Sequence, residues 1–172
     1  MEFSMEKKTK NLQLFELPAI KEASSETIFN PANFLEIFNR TGNIKPDAQR
    51  QWGIMNMVQM LNHLKIATAS GINIYKLRDE STFWWRVVLK FIALRILKRF
   101  PKNVRAAEGF KIEMYNALDF NTEKEEVLKI LKKAYSSTYK TYRHPLFGIM
   151  SREEWGRLIY RHFDHHLRQF SS

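Results

Sequence analysis

The chain contains no cysteine, which excludes a disulfide framework, a thiolate zinc site and a cysteine nucleophile, so any metal must be held by histidine, aspartate or glutamate. Acidic residues are in the minority: 18 Asp and Glu stand against 28 Lys and Arg, leaving a net charge of +10. That balance admits nucleic acid, an anionic membrane face or an acidic small substrate, and does not choose among them. Long apolar runs are scarce. Only Phe83 to Phe100 approaches membrane-span length, and Arg86, Lys90, Arg95, Lys98 and Arg99 interrupt it, so a transmembrane reading is excluded. Met1 to Lys10 is charged rather than apolar, with no secretory core, and a cytoplasmic protein is the expectation. Strand-like alternation of useful length and internal repeats are also missing. What remains is 172 residues and 20.5 kDa, most simply one domain able to bury roughly two-thirds of its unfolded surface.

Helical periodicity dominates the chain from residue 30 onward. Residues 1–29 mix Leu12, Leu14, Phe15 and Leu17 with Pro18 and a polar run, and read as an N-terminal arm; residues 30–172 form the domain. Asn30-Pro31 is a cap followed by proline at the first helical position, opening a helix over about 31–41. A second, amphipathic helix is expected from about Asp47 to Ser70, with Gly71 near its end and His63 at the edge of its apolar stripe between Met60 and Ala67. Phe83 to Phe100 is apolar around its whole wheel and reads as a connecting helix packed over the others with its basic side chains reaching outward; a dimer contact and a basic membrane-surface helix rank below that. Residues 101–119 form a long connection turning at Gly109. A third helix spans about 121–140, His144 to Gly148 form an ordered turn, and Ser151 with Glu154 completes a capping box for a final helix. The expected fold is all-α: a four-helix bundle with a long helical excursion, residues 71–120, between its second and third helices.

Three of the five histidines lie in the final helix. Trp155, Leu158, Ile159, His162, Phe163, His166 and Phe170 share one stripe, so His162 and His166 occupy positions where a bundle helix places core residues. Their i,i+4 spacing puts both rings on one face, about 6 Å apart at Cβ, as a shared metal ion requires. Each buried imidazole has a donor and an acceptor to satisfy; a metal and an internal hydrogen-bond network answer that need equally well. His63 is the natural third nitrogen, since bundle cofactor sites are built from side chains on facing helices. Three protein nitrogens leave a position open for water or a thiolate, the pattern of catalytic zinc, nickel or iron. His165 is rotated 100° from His166 and is expected to face a neighbouring helix or solvent. His144, in the turn before the final helix, is either a group that approaches the site, from behind its ligands or as a proton shuttle, or an ordinary turn histidine.

The run Trp52-Gly53-Ile54-Met55-Asn56-Met57-Val58-Gln59-Met60-Leu61-Asn62-His63, the later His144-Pro145-Leu146-Phe147-Gly148, and the ending His162-Phe163-Asp164-His165-His166-Leu167-Arg168-Gln169-Phe170 together resemble the DinB/YfiT-like superfamily, within it an uncharacterised bacterial subgroup. The likeness covers roughly residues 30–170. It implies a four-helix bundle, often dimeric, holding a divalent metal through one histidine of the second helix and an HxxxH pair of the last, positions matched here by His63, His162 and His166. Characterised relatives include thiol-dependent S-transferases and isomerases using bacillithiol, mycothiol or glutathione, and others are described as metal-dependent hydrolases.

The leading expectation is therefore a metal-dependent thiol S-transferase or hydrolase, with Zn, Ni or Fe as cofactor and a low-molecular-weight thiol or other small molecule as partner. A homodimer is expected, and neither a membrane nor a specific nucleic acid. The competing reading is a non-catalytic helical bundle, a stress-response or DNA-associated interaction protein, suggested by the basic surplus; no nucleic-acid motif accompanies it.

Overall fold

The computed structural model describes residues 26–75, 82–103, 119–138 and 140–171. Most of the expected N-terminal arm and parts of the excursion, residues 76–81 and 104–118 with the turn at Gly109, lie outside the described residues. The described chain is mostly helical, and no helix in it is long and apolar enough to cross a membrane.

Helix α1 (Pro31–Asn43) starts where the Asn30 side chain accepts from the Ala32 and Asn33 amides. Pro31 sits where a backbone donor is not needed. The helix buries Ile37 and Thr41, and the Thr41 hydroxyl is satisfied within the helix by donating to the Ile37 carbonyl at 2.7 Å.

Helix α2 (Met57–Gly71) begins later than the expected Asp47. Its start is set by Asn56 and Gln59: the Asn56 side chain accepts from the Gln59 amide at 2.8 Å and the Gln59 side chain accepts from the Asn56 amide at 2.9 Å. Upstream, Gly53 has a φ of 77°, a left-handed conformation that interrupts any helix running from Asp47. The helix is covered on most of its circumference, burying Met60, Leu61, Asn62, His63, Leu64 and Thr68 among others.

Phe83 to Phe100 carries one helical stretch, as expected, but a shorter and less regular one. Helical backbone from Phe83 contains two π-helical turns, Trp85–Leu89 and Ile92–Ile96, and ends at Leu97, which is extended. Only Leu94 is buried; Phe83 and Trp84 are 68% and 69% exposed. Not all of its cations point outward: Lys90 pairs with Glu154 at 3.0 Å and donates to the Ile149 carbonyl at 2.9 Å. In return the Arg161 guanidinium donates to the Ala93 carbonyl at 3.0 Å, so polar contacts join the buried Leu94 in holding this segment to the domain.

Helix α3 (Phe120–Tyr135) is capped by Asp119, whose carboxylate accepts from the Thr122 amide at 2.8 Å, and stops short of the expected residue 140. Val127, Leu131 and Ala134 form its inner face. Glu123, in the acidic first turn, does not stay in solvent: it is buried, receiving Lys65 at 2.6 and 2.8 Å and the Asn62 amide at 3.3 Å.

The ordered turn at His144 to Gly148 is present, but it closes an antiparallel hairpin that corrects a purely helical fold: β1 (Thr141–His144) pairs with β2 (Gly148–Ser151), His144 opposite Gly148. Strands of four residues are too short for alternation to stand out in sequence. Helix α4 (Arg152–Gln169) opens with the expected capping box, the Ser151 amide donating to Glu154 at 2.8 Å and the Glu154 amide to the Ser151 hydroxyl at 3.2 Å. Helix α1 packs on α3 and α4, and α2 packs on the same two helices. The shared core contains Met60, Leu61, Leu64, Leu131, Phe163 and Leu167, leaving α2 and α4 face to face where their histidines lie.

Candidate metal centre

His63 projects from the middle of α2; His162 and His166 project one turn apart from α4. Their three Nε2 atoms converge. The His63 and His162 nitrogens are 2.9 Å apart, those of His162 and His166 3.1 Å, and all three lie within 4.8 Å of one another. The rings meet edge to face at centroid distances of 4.7–5.0 Å. His63 and His166 are buried and His162 is of intermediate exposure as a residue, its ring turned inward toward the other two.

Burial, then the neighbouring imidazoles His166 and His63, hold the His162 ring well below the ordinary histidine range. Burial foremost, with His63 beside it, pushes His166 down to about 3. These two rings are therefore neutral at physiological pH. Nitrogens sharing one tetrahedral ion at bonds of about 2.0–2.1 Å stand about 3.3 Å apart; the observed 2.9 and 3.1 Å are within a few tenths of that. The residues present thus fit a divalent cation: three histidines, on two helices, able to offer lone pairs to one point.

The rest of the surroundings was not legible in advance. Gln169, three residues beyond His166, is almost fully buried, and its Oε1 lies 2.8 Å from His166 Nδ1. Its Nε2 donates to the Trp52 carbonyl at 2.7 Å. The i,i+3 spacing of His166 and Gln169 on one helix face was the available signal.

His165 lies outside the cluster. It is buried rather than solvent-facing, packed edge-on against Trp52 at 5.6 Å and against Phe100 at 6.2 Å. Burial, then Arg168, lowers its pKa, and its Nδ1 has no hydrogen-bond partner among the described residues. His144 sits at the end of β1, stacked on Phe147 at 4.5 Å and leaning on Trp155 at 5.1 Å. Its Nδ1 accepts from the Leu146 and Phe147 amides at 3.0 and 3.1 Å, which places the proton of the neutral ring on Nε2. Burial pushes its pKa down to about 3. One of its nitrogens is thus committed to the turn.

Comparison with curated proteins finds no match, and comparison with solved structures finds none either. Residues 29–172 match the family described as "Protein of unknown function (DUF1569)". Since that match spans nearly all of the domain, from the turn before α1 through the last helix and its histidines, the chain belongs to this family.

Proposed function

We propose that the chain is a metal-dependent enzyme of the DinB/YfiT-like type, a four-helix bundle in which His63, His162 and His166 hold a zinc, nickel or iron ion for thiol S-transfer or hydrolysis. The observation that carries this reading is the convergence of three Nε2 atoms from two helices. The packing of α1 and α2 each against both α3 and α4 supports the bundle. When bound, the ion supplies Lewis acidity that lowers the pKa of a thiol or water at its open position.

The protein's own residues do the remaining work. Helices α2 and α4 exclude water behind the cluster, so His162 and His166 stay neutral and available as donors of lone pairs. His144 serves as a neutral imidazole beside the centre, its protonated nitrogen turned away from the amides of its own turn. The surplus of cations suits an anionic low-molecular-weight thiol.

Protein purified from metal-supplemented medium should carry about one equivalent of Zn, Ni or Fe, lost in His162→Ala. The loaded protein should consume either a low-molecular-weight thiol with an electrophile or an ester substrate. Metal-free protein that takes up none of the three ions on titration would sink the reading. Tight, sequence-selective DNA binding unaffected by His162→Ala would replace it with the non-catalytic one.

A further inference from the structure

We infer that Gln169 is the positioning residue of this centre, holding His166 in the tautomer that leaves Nε2 free for a ligand bond. The inference rests on the reading of the three histidines as metal ligands, but its geometry is independent of which ion they hold.

The orientation of the Gln169 amide follows from its partners. The Trp52 carbonyl can only accept, so the group facing it at 2.7 Å must be the amide NH2. That turns Oε1 toward His166 Nδ1 at 2.8 Å. A carbonyl oxygen can only accept as well, so Nδ1 must carry the hydrogen. A neutral imidazole has one N–H, and the His166 Nε2 lone pair is therefore left pointing at His162 and His63. Metal-binding histidines are commonly fixed in this way by an acceptor on the ring's far side.

The same residue joins the two halves of the site. Besides its side-chain bond to Trp52, the Gln169 carbonyl accepts from the Gln51 amide at 2.8 Å, so the segment leading into α2 is clasped to the end of α4. Close approach there requires Gly53: a Cβ on it would stand 2.6 Å from Gln169 Nε2, and its φ of 77° disfavours any side chain. A glutamine only 2% exposed, with both ends of its amide bonded, is held too firmly to rotate and offer the other end.

The test uses the full chain with Gln169→Met, which keeps the length and loses both hydrogen bonds. Nitrogen-15 NMR of the metal-free wild type should show His166 protonated at Nδ1, and the variant should show a mixture of tautomers. Zinc affinity, measured by chelator competition, should fall about 10–100-fold in the variant. A wild type with His166 protonated at Nε2 overturns the proposal, as does a variant with unchanged tautomer and unchanged affinity. If Gln169→Met does not fold, the wild-type tautomer alone decides. A wild type that shows the expected tautomer, lost in Gln169→Met, yet binds no zinc, would overturn the metal reading while leaving Gln169 as the residue that orients His166.

Discussion

Nε2 of His63 on α2 lies 2.9 Å from Nε2 of His162 on α4, so the contact across the helix interface is as close as the one between neighbouring turns of α4, where His162 and His166 stand 3.1 Å apart. A single ion at this junction would bind the folded chain and not the unfolded one, where the three rings are far apart. Zinc at about 100 times its dissociation constant should then stabilise the protein by about 2.7 kcal/mol, read as a rise in melting temperature that a chelator reverses. His63→Ala should abolish the rise. His165→Ala, whose ring faces Trp52 and Phe100, should retain it; loss in both variants would place the ion elsewhere.

Acid should destabilise the metal-free chain earlier than carboxylate chemistry alone would. His144 and His166 have folded pKa values of about 3 against an ordinary 6.5, and His162 is shifted the same way. Between those values the unfolded state binds more protons, so the stability is fully present above about pH 6.5 and is lost as pH falls toward 3. Each ring contributes a slope of up to about 1.4 kcal/mol per pH unit. Urea midpoints taken with chelator from pH 8 to 4 should decline from about 6.5 downward. A midpoint unchanged between pH 7 and 5 would contradict the burial of these rings.

Gly71 closes α2 against the Trp155 ring, where an added Cβ would come within 2.9 Å of Cε3 and Cζ3. Alanine gains up to about 1 kcal/mol in helix propensity, while forcing a well-packed ring aside costs about 1–3 kcal/mol. Trp155 is wedged between Tyr142 and His144 and has little room to yield. Gly71→Ala should therefore lower the denaturant midpoint, with a net loss of up to about 2 kcal/mol. A stabilised variant would show that Trp155 shifts freely.

Glu123 is buried with Lys65 at 2.6 Å. Lys65→Met strands the carboxylate; the loss for a wholly buried pair is about 3–5 kcal/mol, and since the Lys65 side chain is one-quarter exposed about 1–3 kcal/mol is expected here. Lys65→Met combined with Glu123→Leu should recover most of it, because neither charge is then left unpaired. A double variant no more stable than Lys65→Met alone would mean that the carboxylate is satisfied without the lysine.

Local signals were readable in proportion to how local their physics is. Asn30-Pro31 and Ser151 with Glu154 mark the starts of α1 and α4 because capping bonds span only three residues. The Asn56 and Gln59 pair carried the same signal for α2, and the run of apolar residues from Trp52 obscured it. The i,i+4 pair His162 and His166 was legible for the same reason, since one helix places both rings.

Contacts between separate elements are another matter. Helical period put His63 near the core, but only the packing of α2 on α4 brings its nitrogen to His162. Gln169 as the partner of His166 follows from one helix face, whereas its anchor, the Trp52 carbonyl, depends on the irregular turn at Gly53. The inward turn of Glu123 toward Lys65 likewise needed α3 to lie against α2. Sequence by itself determined a mostly helical chain without thiolate chemistry and with histidines on an inward stripe, because composition, caps and periodicity act over a few residues. Tertiary structure alone decided which nitrogens meet and what orients them, because that depends on packing between helices whose histidines are 99 residues apart in the chain.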